Sequence, residues 1–323
     1  MKKKKTGEVR YAKYGYIFSL PFVIAYLIFQ LYPICYTIFI GFTDLQGAAP
    51  KPIHVLDNPF QNFQQVLAAP TFQGALKNTV LIWLVNFFPQ ILLALLLTAW
   101  FTDRRWKIKG QGLYKVLLYM PNIITAATIA ILFNAMFAYP TSPVNDILVS
   151  LGILSEPKNF LISKGITRGI VAFIQFWMWY GYTMLILISG VLGINPEIFD
   201  AAEVDGANKV QIFFRITIPN IKTILLFTLV TSLIGGLNMF DIPKLFNLGG
   251  PDNATTTTSV FIYNQAFSGS FMYNRAAAAS MIMFVIIMIC SAILFYLLRE
   301  KEGDGYGTAE VKELKKAKKG GRR

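Results

Sequence analysis

The chain is poor in the side chains that most enzymes use. It has one histidine, His54, and two cysteines, Cys35 and Cys290, in 323 residues. That set has no metal-ligand spacing. Charged residues make up 15% of the chain, against roughly 25% in an ordinary soluble domain. No G-x-x-x-x-G-K-[ST] phosphate loop occurs, so the chain alone is not expected to hydrolyse ATP. No cleavable signal peptide is evident. The first apolar run is too long for a signal core of about 7–15 residues, and no small-residue cleavage site follows it. No strong internal repeat is visible.

What is present is apolar sequence in blocks. Hydrophobic residues make up 54%, and the mean hydropathy is +0.50. The run Tyr16–Ile40 has no charge and is apolar all round, whereas a helix meeting water on one face would carry a polar stripe. It exceeds the roughly 20 residues that cross a bilayer as helix. Further runs of this kind are Ala75–Phe101, Leu113–Phe137, Ile166–Leu192, Ile218–Phe240 and Ala276–Leu298. Prolines such as Pro21, Pro33 and Pro89 fall inside these runs. Neighbouring helices and polar side chains can satisfy the backbone groups they free. The expectation is an all-α integral membrane protein with six transmembrane helices. Residues 14–299 form the helical domain, between a basic N-terminus at 1–13 and a basic, disordered tail at 300–323.

Lysine and arginine set the orientation. Of the 30, 23 fall in the N-terminus, the link after span 2, the link after span 4 and the tail. Both termini and the link after span 4 are therefore expected to be cytoplasmic. The net charge of +13 is read as this topology signal plus attraction to anionic lipid headgroups, with no nucleic-acid partner expected. Both cysteines lie inside predicted spans, where buried free thiols are preferred to a disulfide. Proline- and asparagine-rich turns mark the outer loops at residues 43–74 and 138–165. In the third outer loop, Asp241–Arg275, the Gly249-Gly250-Pro251 stretch should turn. Thr255–Ile262 is then extended or enters the membrane margin.

The middles of the predicted spans lack Asp, Glu, Lys, Arg and His. Lys77, Lys115, Arg168 and Lys222 lie near span ends, where long side chains can snorkel. Pumps and proton symporters usually carry ionisable groups inside the membrane, so this chain does not read as one. Sodium coupling through backbone carbonyls stays open. The path reads as suited to a neutral solute.

The link after span 4 is polar. Asn195-Pro196-Glu197 is a helix start: an N-cap, a proline at the first helical position and an acid at the positive end of the dipole. A short helix should run from Pro196 to about Asp205 and stop at Gly206. Asn208 and Gln211 resemble a capping box opening a second helix. Ile198, Ala201, Ala202 and Asp205 share one side of the first helix by spacing. Small alanines there would let a partner backbone approach closely.

The motif that follows is specific. Asp200-Ala201-Ala202, three residues, Gly206, nine residues, then Ile216-Thr217-Ile218-Pro219 resembles the E-A-A…G…I-x-L-P signature of ATP-binding-cassette importer permeases. Asp200 stands for Glu and Ile218 for Leu, so the acidic contact to the ATPase is expected to be repositioned. Gly249-Gly250-Pro251, Thr255–Thr258 and Tyr263–Phe267 resemble the sugar permeases of maltose and glycerol-phosphate type, over about Tyr14 to Leu298. The resemblance implies a second homologous permease, two cytoplasmic ATP-binding subunits, and an external solute-binding protein. ATP and magnesium are implied on the partner ATPase and no cofactor in this chain. It implies a coupling helix at Pro196–Asp205, with Phe199, Asp200, Ala201, Ala202, Asp205 and Gly206 as ATPase-coupling residues. It also implies sugar contacts at Trp179, Tyr182, Asn238 and Met239, with Asn134 as a further polar candidate. Met239 stands where a second amide is common. A carbohydrate, oligosaccharide favoured, is the implied cargo. The competing readings are a secondary carrier working alone and an intramembrane enzyme. The second is disfavoured because no histidine, cysteine or carboxylate cluster lies in the spans.

Overall fold

A computed structural model describes residues 12–47, 52–104, 109–269 and 271–298. The basic N-terminus through residue 11 and the tail from residue 299 lie outside the described residues. The expectations for their arrangement concern segments not described. Among the described residues all regular structure is helical, apart from one isolated bridge between Thr43 and Val55.

The chain divides into two units. One runs to Ala68 and resumes over Ile262–Ile282; the other comprises Ala69–Phe261 and continues from Met283. The first unit holds α1 (Tyr14–Ile40) and α2 (Gln61–Ala68). Asn62 ties it together: its side-chain amide donates to the carbonyls of Gly41 and Thr43, each at 2.9 Å, and its carbonyl oxygen accepts from Asn274 at 3.1 Å.

The second unit carries α3 (Pro70–Phe101), α4 (Gln111–Ile123), α5 (Ala126–Met136), α6 (Pro143–Ser150) and α7 (Lys164–Leu192). It continues through α8 (Pro196–Val204), α9 (Lys209–Ile212), α10 (Lys222–Leu237) and α11 (Asp241–Asn247). Two further helices, α12 (Thr258–Phe267) and α13 (Tyr273–Leu298), cross between the units. α7 is the hub of its unit: 56% of its most apolar window is buried. Gly181 explains how close its neighbour comes. A Cβ there would lie 2.1 Å from the Leu118 carbonyl oxygen, so only glycine allows α4 to cross at this point.

Five described helices are long and apolar enough to cross a membrane, and a bent pair, α4 with α5, makes a sixth candidate. The third predicted span, Leu113–Phe137, is therefore not one helix. It bends by 88° at Ile124 and Thr125. Thr125 is extended, and its hydroxyl caps Thr128 N–H at 3.3 Å, so a new helix starts there instead of the old one continuing. The fifth apolar stretch reaches Asn247 and not Phe240, which brings Asp241 inside it. Thr258–Phe267 is helical, which corrects the extended reading of the end of Thr255–Ile262. Both cysteines are free, but Cys35 is exposed and Cys290 only partly buried, because their apolar helices face outward at those positions.

Two prolines inside helical runs share a device. Wide π turns at Leu27–Leu31 and Phe213–Thr217 end just before Pro33 and Pro219. A proline ring clashes with the carbonyl four residues back. The local i to i+5 bonding, Tyr32 N–H to Leu27 and Ile218 N–H to Phe213, widens the turn where that clash would fall.

Candidate functional site

Helices α3, α7 and α10 bring their polar residues together by helical spacing. Trp83, Asn86 and Gln90 form a stripe on α3; Gln175, Trp179, Tyr182 and Thr183 on α7; Thr228, Thr231, Ser232 and Gly235 on α10. These stripes line a cavity of about 390 Å³. Its floor includes the non-helical turn Asn238-Met239-Phe240 between α10 and α11. Gln90 donates to the Thr183 hydroxyl at 2.8 Å, fixing α3 against α7. Such bonds hold helices in register where no water competes.

Both members of the aromatic pair line this cavity. Trp179 and Tyr182 lie edge to face with ring centroids 5.7 Å apart and are 42% and 37% exposed. Each therefore offers a free aromatic surface. Asn238 is exposed, with its amide donating to Ile234 O at 2.9 Å. Met239 also lines the cavity but is 5% exposed, packed in the core, and its carbonyl accepts from Thr257 at 2.7 Å. Asn134 is away from the lining. It donates to Phe246 O at 2.6 Å, tying α5 to α11.

Sequence reasoning missed the α3 wall. The signal was there: Trp83, Asn86 and Gln90 recur at the period of one helix face inside an apolar run. Trp83 has a buried indole N–H with no acceptor among the described residues.

The link between α7 and α10 follows its local chemistry closely. Asn195 accepts from Glu197 N–H at 3.1 Å. α8 then ends in a Schellman arrangement: Ala207 N–H bonds Ala202 O and Gly206 N–H bonds Glu203 O. Gly206 sits at φ +77°, a conformation that suits glycine. Asn208 and Gln211 form the reciprocal capping box.

The faces of α8 differ from the spacing argument. Ala202 is 8% exposed, and Phe199 is half-buried against the core formed by Ala94, Leu187 and Val191. Ala201, Asp205 and Gly206 are exposed. The two alanines thus divide between the chain's own core and its surface. Asp200 pairs with Arg104 at 2.5 Å, and the same guanidinium donates to Pro196 O at 3.1 Å. Lys209 pairs with Asp103. A groove of about 570 Å³, mostly apolar, lies behind α8 and includes Trp100, Phe199 and Phe213 in its walls.

Residues 76–301 match the family described as "Binding-protein-dependent transport system inner membrane component". The chain belongs to this family. It is a multi-pass permease subunit of such a transport system. This permease is 30% identical to the lactose transport system permease protein LacF of Rhizobium radiobacter, over 89% of its own length and 95% of that protein. It is 28% identical to the arabinooligosaccharides transport system permease protein AraP of Bacillus subtilis, over 90% of each. Its fold matches a chain of a bacterial alginate transporter solved with an alginate-pentasaccharide-bound periplasmic protein. The TM-score is 0.76 at 24% identity, covering 90% of this permease and 98% of that chain.

Proposed function

We propose that this permease forms half of the translocation pathway of an ATP-driven carbohydrate importer, with an oligosaccharide as cargo. The observation that carries this reading is α7. One part of it bears Trp179 and Tyr182, whose faces can stack on sugar rings, beside amides that can bond hydroxyls. Its end leads through Asn195 into the capped helix α8. One rigid helix thus joins a sugar-type cavity to the polar link. Curated relatives named for lactose and arabinooligosaccharide transport support the cargo class.

In this reading a second permease completes the cavity, and α8 docks on a cytoplasmic ATPase dimer that binds ATP and magnesium. The basic links and both termini then face the cytoplasm, and an external binding protein delivers the sugar. ATPase closure moves α8, and α7 carries that movement to the cavity wall. Asp200 is held by Arg104, so Ala201 and Asp205 offer the free contact surface.

Deleting Gly206–Asn208 is expected to abolish solute-stimulated ATP hydrolysis in the purified importer while the chain still inserts and assembles. Persistent stimulation in that variant would overturn the role of α8. Screening glycans against the cognate binding protein tests the cargo; a protein that binds only non-carbohydrate solutes would overturn it.

A further inference from the structure

The cavity has one charged side chain. Among the described residues that line it, Asp241 alone carries a formal charge; the others are amides, hydroxyls, aromatics, glycines and aliphatic or thioether residues. Asp241 is exposed, and no ion pair or hydrogen bond among the described residues engages its carboxylate. Lys244, one turn further along α11, does not line the cavity. Neither does Arg168 of α7, whose guanidinium bonds Ala254 O at 2.8 Å and Asn78 at 2.9 Å. Among the described residues of the lining no cation offsets the carboxylate.

A single charge in a cleft with low-dielectric walls focuses its field on whatever enters. Sugar hydroxyls can donate to a carboxylate in strong, charge-assisted bonds. A carboxylate or phosphate on the solute would instead meet a like charge, which is a common means of rejecting the wrong ligand. The fold itself does not set this preference, since a transporter of the acidic polysaccharide alginate shares it.

We propose that Asp241 is a charge-selecting residue of the pathway, favouring uncharged glycans over glycans that carry carboxylate or phosphate groups. The glycan part rests on the carbohydrate reading above; the field part does not.

The test uses the purified importer with Cys35→Ala and Cys290→Ala in this chain and a reporter thiol introduced by Ser232→Cys on the cavity wall. Thr231→Cys serves as a second reporter. Modification rates by a cationic trimethylammonium thiosulfonate and an anionic sulfonate thiosulfonate are compared at low salt. The cationic-to-anionic ratio, normalised to free cysteine, is expected to be about tenfold with Asp241, the low end of steering effects on association rates. It should persist in Asp241→Glu, fall toward one in Asp241→Asn, and shrink at high salt. A ratio near one at both reporters, or one unchanged by Asp241→Asn, overturns the proposal. Failure of the carbohydrate reading shows separately, as no glycan-stimulated ATP hydrolysis, and leaves the thiol ratio untouched.

Discussion

Residues 195–219 and residues 247–258 both interrupt apolar helices with polar side chains and a left-handed glycine, Gly206 at φ +77° and Gly249 at φ +86°. They dispose of their polar groups in opposite ways. Thr255, Thr256, Thr257 and Thr258 are at most 5% exposed. Thr255 donates to Asn247 and Gly250 O, and Thr257 to Met239 O. Asn78 donates to the carbonyls of Asn253 and Thr256, at 2.7 and 3.1 Å, and accepts from Arg168. Thr79 accepts from Thr258 N–H at 2.9 Å. In the other segment Asp200, Ala201, Asp205 and Lys209 stay exposed, and its bonds are caps and rim ion pairs. Buried polar groups that all find partners make a rigid unit. Exposed polar groups on a capped helix leave a surface ready for another protein. The segment at residues 247–258 is built to stay, the one at residues 195–219 to be met.

The largest expected effect breaks the rigid segment. Asn78→Leu leaves the Asn253 and Thr256 carbonyls and the Arg168 guanidinium short of partners. It should cost about 3 kcal/mol, read as a lower thermal midpoint of the purified chain. An unchanged midpoint would show that the threonine segment is not held by Asn78.

Gly206→Val comes next and strikes the exposed segment. Holding a β-branched residue at positive φ costs about 1–2 kcal/mol. Solute-stimulated ATPase activity should fall far more than the thermal midpoint. Equal losses in both would remove the distinction between the segments.

Asn208→Ala removes half of the capping box and should cost about 1 kcal/mol. Hydrogen exchange faster at α9 than at α7 is the check.

The smallest stability effect is Asp200→Asn. The Arg104–Asp200 pair is exposed, so its loss should change stability by no more than about 0.5–1 kcal/mol. Coupling should nevertheless weaken, because α8 loses the charged part of its tie to Arg104, just past the end of α3. Exchanging the pair, Arg104→Asp with Asp200→Arg, should restore part of it. No recovery would mean that Asp200 acts on the partner and not through Arg104.

Local chemistry was legible wherever the deciding atoms are neighbours in the chain. The Asn195 cap, the Gly206 stop and the Asn208–Gln211 box all stand as their spacing implied. Helix faces on α8 were less legible, since spacing groups Ala201 with Ala202 but says nothing of which side the core lies on. The α3 wall and Asp241 were missed for a related reason. Asn86 and Gln90 read as isolated polar breaks until α7 and α10 stand opposite them, and Asp241 read as the start of a loop until α11 extended the apolar stretch.

The sequence by itself determined the membrane character, the apolar runs, the capped link after α7 and the absence of a phosphate loop. These depend on composition and on short-range spacing, which hydropathy and local hydrogen bonding convert directly into structure. Only the tertiary structure decided that the third run bends by 88°, that Met239 and Ala202 turn inward, and that one aspartate faces a cavity of amides and aromatics. Each of those depends on which helices pack against which. That choice is made by long-range fit, such as Gly181 against the Leu118 backbone, and no local pattern records it.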